Sequence, residues 1–416
     1  MKSSSGLDPQ SNILIASFSL WRDGKRTAIN GSIEPLLDFF VPRVKRVVLI
    51  DQIHPGCREV MPVIEIHEKN KSIIKSSLPK YLFLLYPFLK LTNTSGTRFF
   101  FKFRDIISVS DWCLRSKTVY DYFVALECAN AFAGIILRRL GFIKKVIYYV
   151  SDYAPNRYPG QKLFTHFYLW LDRYCAMHAD YIWDVSKAMQ PARIRMGLNP
   201  QKSAPVLHVP NGLYPSQIRL EDPKNIIPYS LVYMGTLSPD NGPDVAIGAL
   251  QLLIKKFPQT SLHIIGGGND DLVRLKNLTT QLHLDKKVKF YGFIPDRDEM
   301  SRIVRRCYVG VAPYMAFPDS ARWFGDAGKI RTYAASGLPI IASFVPPLGK
   351  KVEEKGAAIV VKDNKEDLAS AVCKIFSDHK LYMRLRKNAI KFAKDNTWEN
   401  SFKNAFLLMQ KKEENT

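Results

Sequence analysis

The sequence predicts an α/β protein of two doubly wound, Rossmann-like domains, each a parallel sheet covered by helices. Two observations predict it. The chain has 416 residues, more than one ordinary core accommodates and enough for two domains of about 200 residues. Short apolar runs alternate with helical patterns in two separate regions, and runs without polar alternation belong to strands buried on both faces. Domains of this kind bind ligands at the carboxyl ends of their strands.

In the first region Asn12-Ile-Leu-Ile-Ala-Ser-Phe reads as a strand, followed by a helix over Ile33–Phe40 and a strand over Arg46–Ile50. Tyr122–Leu126 is a strand, Ala129–Leu140 a helix, Lys145–Val150 a strand, Lys162–His178 a long helix and Tyr181–Val185 a strand. Pro210, Asn211 and Gly212 punctuate the chain, which places the first domain at residues 1–212. The second domain, residues 213–396, reads strands at Ser230–Met234, Ser261–Ile265, Val288–Tyr291, Tyr308–Ala312, Ile340–Ser343 and Ala358–Val361. Its helices read at Gly242–Phe257, Asp270–Leu282, Arg297–Arg306 and Lys365–Phe376, with a loop, helix and strand entry over Gly325–Pro339. In residues 397–416, Trp398, Phe402, Phe406 and Leu407 follow helical spacing, a packing feature.

Hydrophobic residues make up 46% and charged residues 24%, which places the chain among globular proteins rather than disordered ones. Sixty Lys and Arg face 38 Asp and Glu, a net +22, which attracts nucleic acid, acidic lipid headgroups or phosphorylated ligands. Zinc-finger spacing, an RNA-recognition motif and a dense Lys/Arg tail are all lacking, so no nucleic acid is expected as a partner. No two of the six cysteines stand at C-x-x-C spacing and the eight histidines form no cluster, so no metal motif is read. The N-terminus, MKSSSGLDPQSN, lacks the apolar core of a signal peptide. The longest clean apolar run, Tyr81–Leu89, is far shorter than the roughly 20 residues of a membrane-spanning helix. A cytoplasmic protein, soluble or peripheral at the inner face of the plasma membrane, is expected. Tyr81–Leu91 and Arg98–Phe103 mix aromatic, apolar and basic residues, which suits an anionic membrane surface or packing under a loop.

Four ordered pieces then stand out: Tyr233-Met-Gly-Thr-Leu with Asn241-Gly242, Leu262–Gly268, Val288–Phe293 and Lys329–Pro339. In these the C-terminal half resembles the group 1, or family 4, glycosyltransferases, which have the GT-B fold. Val146–Pro155 and Leu171–Ser186 carry a weaker likeness in the N-terminal half. The resemblance implies two Rossmann-like domains with parallel sheets facing a cleft. It implies a UDP- or GDP-sugar donor and a glycan or lipid-linked acceptor in cell-envelope polysaccharide or glycolipid synthesis. Retention of anomeric configuration and no cofactor beyond the nucleotide sugar are implied with it.

The segment Gly325–Pro339 carries most of the chemistry. Asp326 is placed to cap a helix beginning at Ala327, and Gly328 lets a ligand approach the backbone. The helix N-terminus carries about half a positive charge and favours a phosphate, and Lys329 adds a full charge beside it. Cations aimed at a leaving diphosphate stabilise the transition state, the role the resemblance implies for Lys329. The plain alternative is a capped surface helix with an exposed lysine. The family usually has two glutamates eight residues apart; here Phe324 takes the first place and Thr332 the second. The second commonly holds the ribose hydroxyls, and Asp326 is one replacement. After Gly235 the family tends to place an arginine and then a lysine; here Thr236 and Asn241 stand there, both donors without charge. Arg322 or Arg331 is a source of the missing charge, Arg331 the weaker because it points elsewhere on the helix.

Gly267, within Gly266-Gly267-Gly268, is read as a turn lining the donor pocket. Phe293 and Ile294 fall where the family's backbone meets the base, or else are core residues. In the first domain Asp152 follows a strand, where a carboxylate orients or deprotonates an acceptor hydroxyl, or simply caps the next element. The turn from Trp21 to Arg26 lines the acceptor site or is a solvated loop. Beside the transferase stand a sugar-nucleotide epimerase of the same fold and a basic non-enzymatic protein, either a degenerate transferase acting as a scaffold or a nucleic-acid binder.

Overall fold

The computed structural model describes residues 6–22, 25–27, 31–54, 57, 61–68, 71–76, 98–158, 160–267, 269–318 and 320–415. The chain divides into two compact units, Met1–Pro210 with Ser401–Thr416, and Asn211–Asn400.

The first unit runs β1 (Asn12–Arg22), β2 (Lys25–Thr27), α1 (Ile33–Phe40), β3 (Arg46–Ile53), β4 (Val63–Glu68), β5 (Lys71–Ser76), α2 (Arg98–Ser116), β6 (Tyr120–Leu126) and α3 (Cys128–Arg139). It continues with β7 (Ile143–Val150), α4 (Lys162–His178), β8 (Tyr181–Asp184), α5 (Met189–Arg195) and β9 (Val206–His208). Its sheet has the order β5-β4-β3-β1-β6-β7-β8-β9, with β2 paired to β1. From β3 to β9 all neighbours are parallel. The edge is not: β3 pairs β4, β4 pairs β5, and β1 pairs β2 antiparallel. The purely parallel sheet expected from the apolar runs is thus a mixed one. Short reversals of direction close antiparallel pairs without a crossover helix, so these edge strands carry polar alternation, as in Val63-Ile-Glu-Ile-His-Glu.

The second unit runs β10 (Ser230–Met234), α6 (Pro243–Leu253), β11 (Ser261–Ile265), α7 (Asn269–Gln281), β12 (Val288–Gly292), α8 (Arg297–Arg305), β13 (Val309–Ala312) and α9 (Gly328–Ala335). Then come β14 (Ile340–Ser343), α10 (Leu348–Glu354), β15 (Ala358–Val361), α11 (Lys365–Ser377) and α12 (His379–Asp395); α13 (Trp398–Glu414) ends the chain. The sheet order is β12-β11-β10-β13-β14-β15, parallel throughout. Alternate residues of each strand enter two different cores: Leu231 and Tyr233 of β10 join Leu262 and Ile264 of β11 on one face, Val232 joins Ile265 on the other. Burial on both faces is why these strands read as unbroken apolar runs.

The strand order of the second sheet reverses between β10 and β13, the place where doubly wound sheets open a ligand crevice. Tyr333 of α9 fixes the helix there. Its hydroxyl donates to the Val311 carbonyl (3.1 Å) and accepts from the Met234 N–H (2.9 Å), so it ties both strands. Gly310 makes room for the ring, since a Cβ at that position lies 2.5 Å from it.

Within the first unit, α13 puts Phe402 and Phe406 against Phe39, Tyr149 and Trp183 at ring separations of 5.4–6.4 Å. Leu407 is half-buried, and Ala405 and Met409 are buried in its stead. Tyr81–Leu91, together with Asp23, Gly24 and Gly268, lies outside the described residues. Arg98–Phe103 opens α2, with Phe101 buried and Phe100 and Phe103 exposed. Among the described residues no helix is long and apolar enough to cross a membrane.

Candidate functional site

The second unit gathers most of the expected site residues at the carboxyl ends of β10, β11 and β12, under the start of α9. After Met234 the chain turns at Gly235, whose φ of +126° is closed to side-chain-bearing residues and whose N–H donates to the Ile265 carbonyl (2.9 Å). Gly266 lies directly over it, and Gly267 follows beside Phe293. Phe293 is 76% exposed, which removes its reading as a core residue and leaves a free ring face at the strand end. Ile294 is half-buried and packs on the apolar core of the unit.

Lys329, in the first turn of α9, is the unusual group. It is 5% exposed, and its Nζ has no hydrogen-bond partner among the described residues. The ammonium sits 4.1 Å from the Tyr233 ring and 4.3 Å from the Tyr314 ring, and its Cε lies 3.3 Å from where a Gly235 Cβ would stand. Burial, with the Arg322 charge adding to it, pushes the Lys329 ammonium well below its usual range, while Asp240 pulls the other way. The reading of Lys329 as an exposed surface lysine is therefore corrected. A buried cation set against two ring faces, with no acid bonded to it among the described residues, suits an anion supplied from outside.

Around it the polar groups are tied together. Arg322 Nε donates to Asp240 Oδ2 (3.0 Å). Ser238 Oγ donates to Asp240 Oδ1 (2.5 Å), and Asn241 Nδ2 donates to Ser238 Oγ (2.7 Å) and Asp240 Oδ1 (3.2 Å). Asn241 is thus turned inward, 3% exposed, and braces the loop that holds Arg322. Arg322 remains partly exposed beside Lys329. Thr236 is exposed, and its carbonyl accepts from the Tyr233 hydroxyl (2.6 Å).

Asp326 does not cap α9, as its position suggested. The helix begins at Gly328 with Ala327 as an N-cap that makes no side-chain hydrogen bond. The Asp326 carboxylate is instead gripped by Arg331, whose Nη2 donates to both of its oxygens (2.9 and 2.8 Å) with Nε at 3.2 Å, and it accepts from the Asn211 N–H (2.7 Å). Both side chains are 3% exposed, so Asp326 is no replacement for a ribose-binding glutamate and Arg331 no source of free charge. With no cap and open space around Gly328, the N–H groups of the first turn remain available to a ligand. Thr332 is half-buried and donates its hydroxyl to the Gly328 carbonyl (3.2 Å).

In the first unit Asp152 is exposed and pairs with Arg157 (2.6 Å) two residues beyond the end of β7. Trp21 and Arg26 are anchored rather than solvated: Trp21 Nε1 (2.9 Å) and Arg26 Nε (2.8 Å) both donate to buried Asp51. One residue that sequence reasoning missed stands out. Glu127, at the junction of β6 and α3, has φ 81° and ψ 151°, a region almost reserved for glycine. Its carboxylate pairs with Lys102 of α2. Burial acts against that charge, but Lys102 and Arg157 outweigh it and hold the carboxyl below its usual value. Such a backbone is costly for a residue with a side chain, and here it sits between a buried strand and a buried helix start. The only sequence signal is a charged residue between an apolar strand and an Ala-rich helix. Among the described residues no cluster of His, Cys, Asp or Glu suits a metal ion.

Residues 217–392 match the family described as glycosyl transferases group 1. The chain is 29% identical over 177 residues to the D-inositol 3-phosphate glycosyltransferase of Jonesia denitrificans, a match covering 41% of this chain and 40% of that one. It is 27% identical over 269 residues to the Escherichia coli O-antigen biosynthesis glycosyltransferase WbnH, covering 64% and 70%. The chain thus spans well under half the length of the first of these relatives. Among solved structures, Anabaena Alr3699/HepE in complex with UDP superposes with a TM-score of 0.66 at 16% identity, over 97% of this chain and 100% of that one. WaaG, a glycosyltransferase involved in lipopolysaccharide biosynthesis, superposes with a TM-score of 0.62 at 14% identity, over 95% and 98%. At such identities the likeness shows the fold, two Rossmann-like α/β units of the GT-B class.

Proposed function

We propose that the protein, whose residues 217–392 match the group 1 glycosyl transferases, transfers a sugar from a UDP- or GDP-sugar to a glycan or lipid-linked acceptor. One relative is named for O-antigen biosynthesis, which supports an envelope polysaccharide or glycolipid as the product. One observation carries the reading. Lys329 is a buried cation with no acid bonded to it among the described residues, set at the strand-order reversal beside uncapped helix N–H groups.

In this reading the donor diphosphate enters the space over Gly235 and Gly328 and meets Lys329 and the first turn of α9. Arg322 exchanges part of its contact with Asp240 for the phosphates. Charge building on the leaving diphosphate is met by donors already in place. Phe293 offers its free face to the base beside Gly267 and Ile294. Asp152 orients the acceptor hydroxyl. Two side-chain cations and a helix N-terminus serve where a metal would otherwise neutralise the diphosphate, and the sugar is transferred with retention. The reaction therefore needs neither a metal nor another cofactor.

The test is a thermal-shift screen of UDP, GDP and their sugars, since a ligand of the folded state raises its melting temperature. At least one nucleotide should stabilise the wild type, and Lys329→Ala should abolish that shift and reduce donor hydrolysis about a hundredfold or more. Hydrolysis should persist in EDTA. A Lys329→Ala protein with undiminished turnover and an unchanged shift removes the proposed donor site.

A further inference from the structure

Helix α12 carries a feature the transfer reaction does not use. Its exposed cations Lys380, Arg384, Lys387, Lys391 and Lys394 recur at spacings of 4, 3, 4 and 3 residues. That spacing puts them on one face of a helix, in a line about 21 Å long at 1.5 Å per residue. None of the five pairs with an acid among the described residues. Beside the line runs a groove of about 920 Å³ whose floor includes Leu220, Met383 and Ile390. Leu220 is 51% and Met383 50% exposed. The groove has a fixed wall. Arg386 turns inward, donating to the Glu221 carbonyl (3.4 Å) and the Tyr382 hydroxyl (3.1 Å), and the Arg219 N–H donates to the Ala335 carbonyl (3.1 Å). Asp395, at its end, is the one acid of the lining.

We propose that this face of the second unit docks on an anionic phospholipid bilayer, with the cations on the headgroup phosphates and Leu220, Met383 and Ile390 at the acyl boundary. Charge complementarity argues for it: five unpaired cations in a line meet a surface of fixed negative charge, each adding to the attraction. The apolar floor decides between polyanions. Single-stranded nucleic acid is held by aromatic platforms as well as cations, and this groove contains no aromatic ring. Exposed aliphatic side chains flanked by lysines are what an interfacial helix presents to lipid.

The experiment is co-sedimentation of the full chain with phosphatidylcholine vesicles containing either no or 30 mol% phosphatidylglycerol, each at low and at 0.5 M salt. The wild type should sediment with the anionic vesicles at low salt only. Lys387→Gln/Lys391→Gln/Lys394→Gln should weaken partitioning on the order of a hundredfold, and Leu220→Ser/Met383→Ser should weaken it several-fold. Both variants change exposed side chains and should keep the wild-type melting temperature and donor hydrolysis, so failure here is distinct from failure of the transferase reading. Equal binding to neutral vesicles overturns the proposal, as does a triple variant that sediments like the wild type. If the Lys variant lost affinity only for an RNA oligonucleotide, with no vesicle binding in the wild type, a nucleic-acid surface would replace it.

Discussion

At the scale of single residues, Lys329 is held where its charge is unwelcome. It has ring faces on two sides and no acceptor, so the folded protein bears a desolvation penalty that a bound diphosphate would relieve. Lys329→Met keeps the stem and removes the ammonium. The ligand-free variant should therefore be more stable than the wild type, by about 1–3 kcal/mol in chemical denaturation, while losing its nucleotide-induced thermal shift. A destabilised Lys329→Met would mean that the two tyrosine rings compensate the charge fully, and the stored-cation argument would be wrong. His263 shows the opposite device, a titratable group kept neutral. Burial, with Lys289 nearby, lowers it from 6.5 to about 4, and its Nδ1 lies 2.8 Å from the Tyr291 hydroxyl. The unfolded chain then binds a proton in the window between pH 6.5 and about 4 that the folded chain refuses. Stability from this group is complete above pH 6.5 and falls as the pH drops through that window, by up to about 3 kcal/mol. In His263→Gln the same pH titration of the melting temperature should be flatter.

Secondary elements were legible in proportion to how much of their surface the core claims. The inner strands β10, β11, β13 and β14 were readable because both of their faces are buried, and so was α9, announced by the glycines and proline around it. Helix α12 was not read although it carries the amphipathic signal, with buried Tyr382, Leu385, Ala389 and Phe392 at helical spacing and five cations on the outer face. The edge strands β4 and β5 were not read either. At the site, Lys329 and Gly235 drew notice through the family resemblance; their positions at a helix start and a strand end alone suit a surface helix and a turn. The Arg331–Asp326 clasp was invisible because two local propensities competed for one carboxylate, and tertiary pairing won over capping. Glu127 was invisible because a dihedral angle leaves no mark on residue type. The clasp has a consequence for α9. With Asp326 occupied and Thr332 hydrogen-bonded to Gly328, neither of these side chains is free to hold a ribose at the first turns of the helix. Thr332→Glu should supply a free carboxylate, and titration calorimetry should then show about tenfold tighter binding of the nucleotide that stabilises the wild type. Unchanged or weaker binding would place the ribose elsewhere.

At the scale of the whole molecule, the first unit is not continuous in sequence. It is completed by residues 401–416, whose Phe402 and Phe406 are buried against Phe39, Phe40, Tyr149 and Trp183. Its core can close only after the last helix has been made, whereas the second unit lies within one uninterrupted stretch. Removing one of these rings should be felt as a large-to-small core change, so Phe402→Ala should lower stability by about 3–5 kcal/mol. Truncation after Asn400 removes both rings and the buried Ala405 and Met409 together. The expected outcome is selective. The truncated chain should lose the unfolding transition of its first unit and all sugar transfer, because the acceptor is assigned to that unit. It should still show the nucleotide-induced thermal shift, because Gly235, Phe293, Arg322 and Lys329 all belong to the second. Two-probe urea denaturation of the truncated chain, with and without nucleotide, separates the alternatives. If nucleotide binding disappeared while the first transition survived, the donor site would depend on residues 401–416, and its assignment to the second unit alone would be wrong.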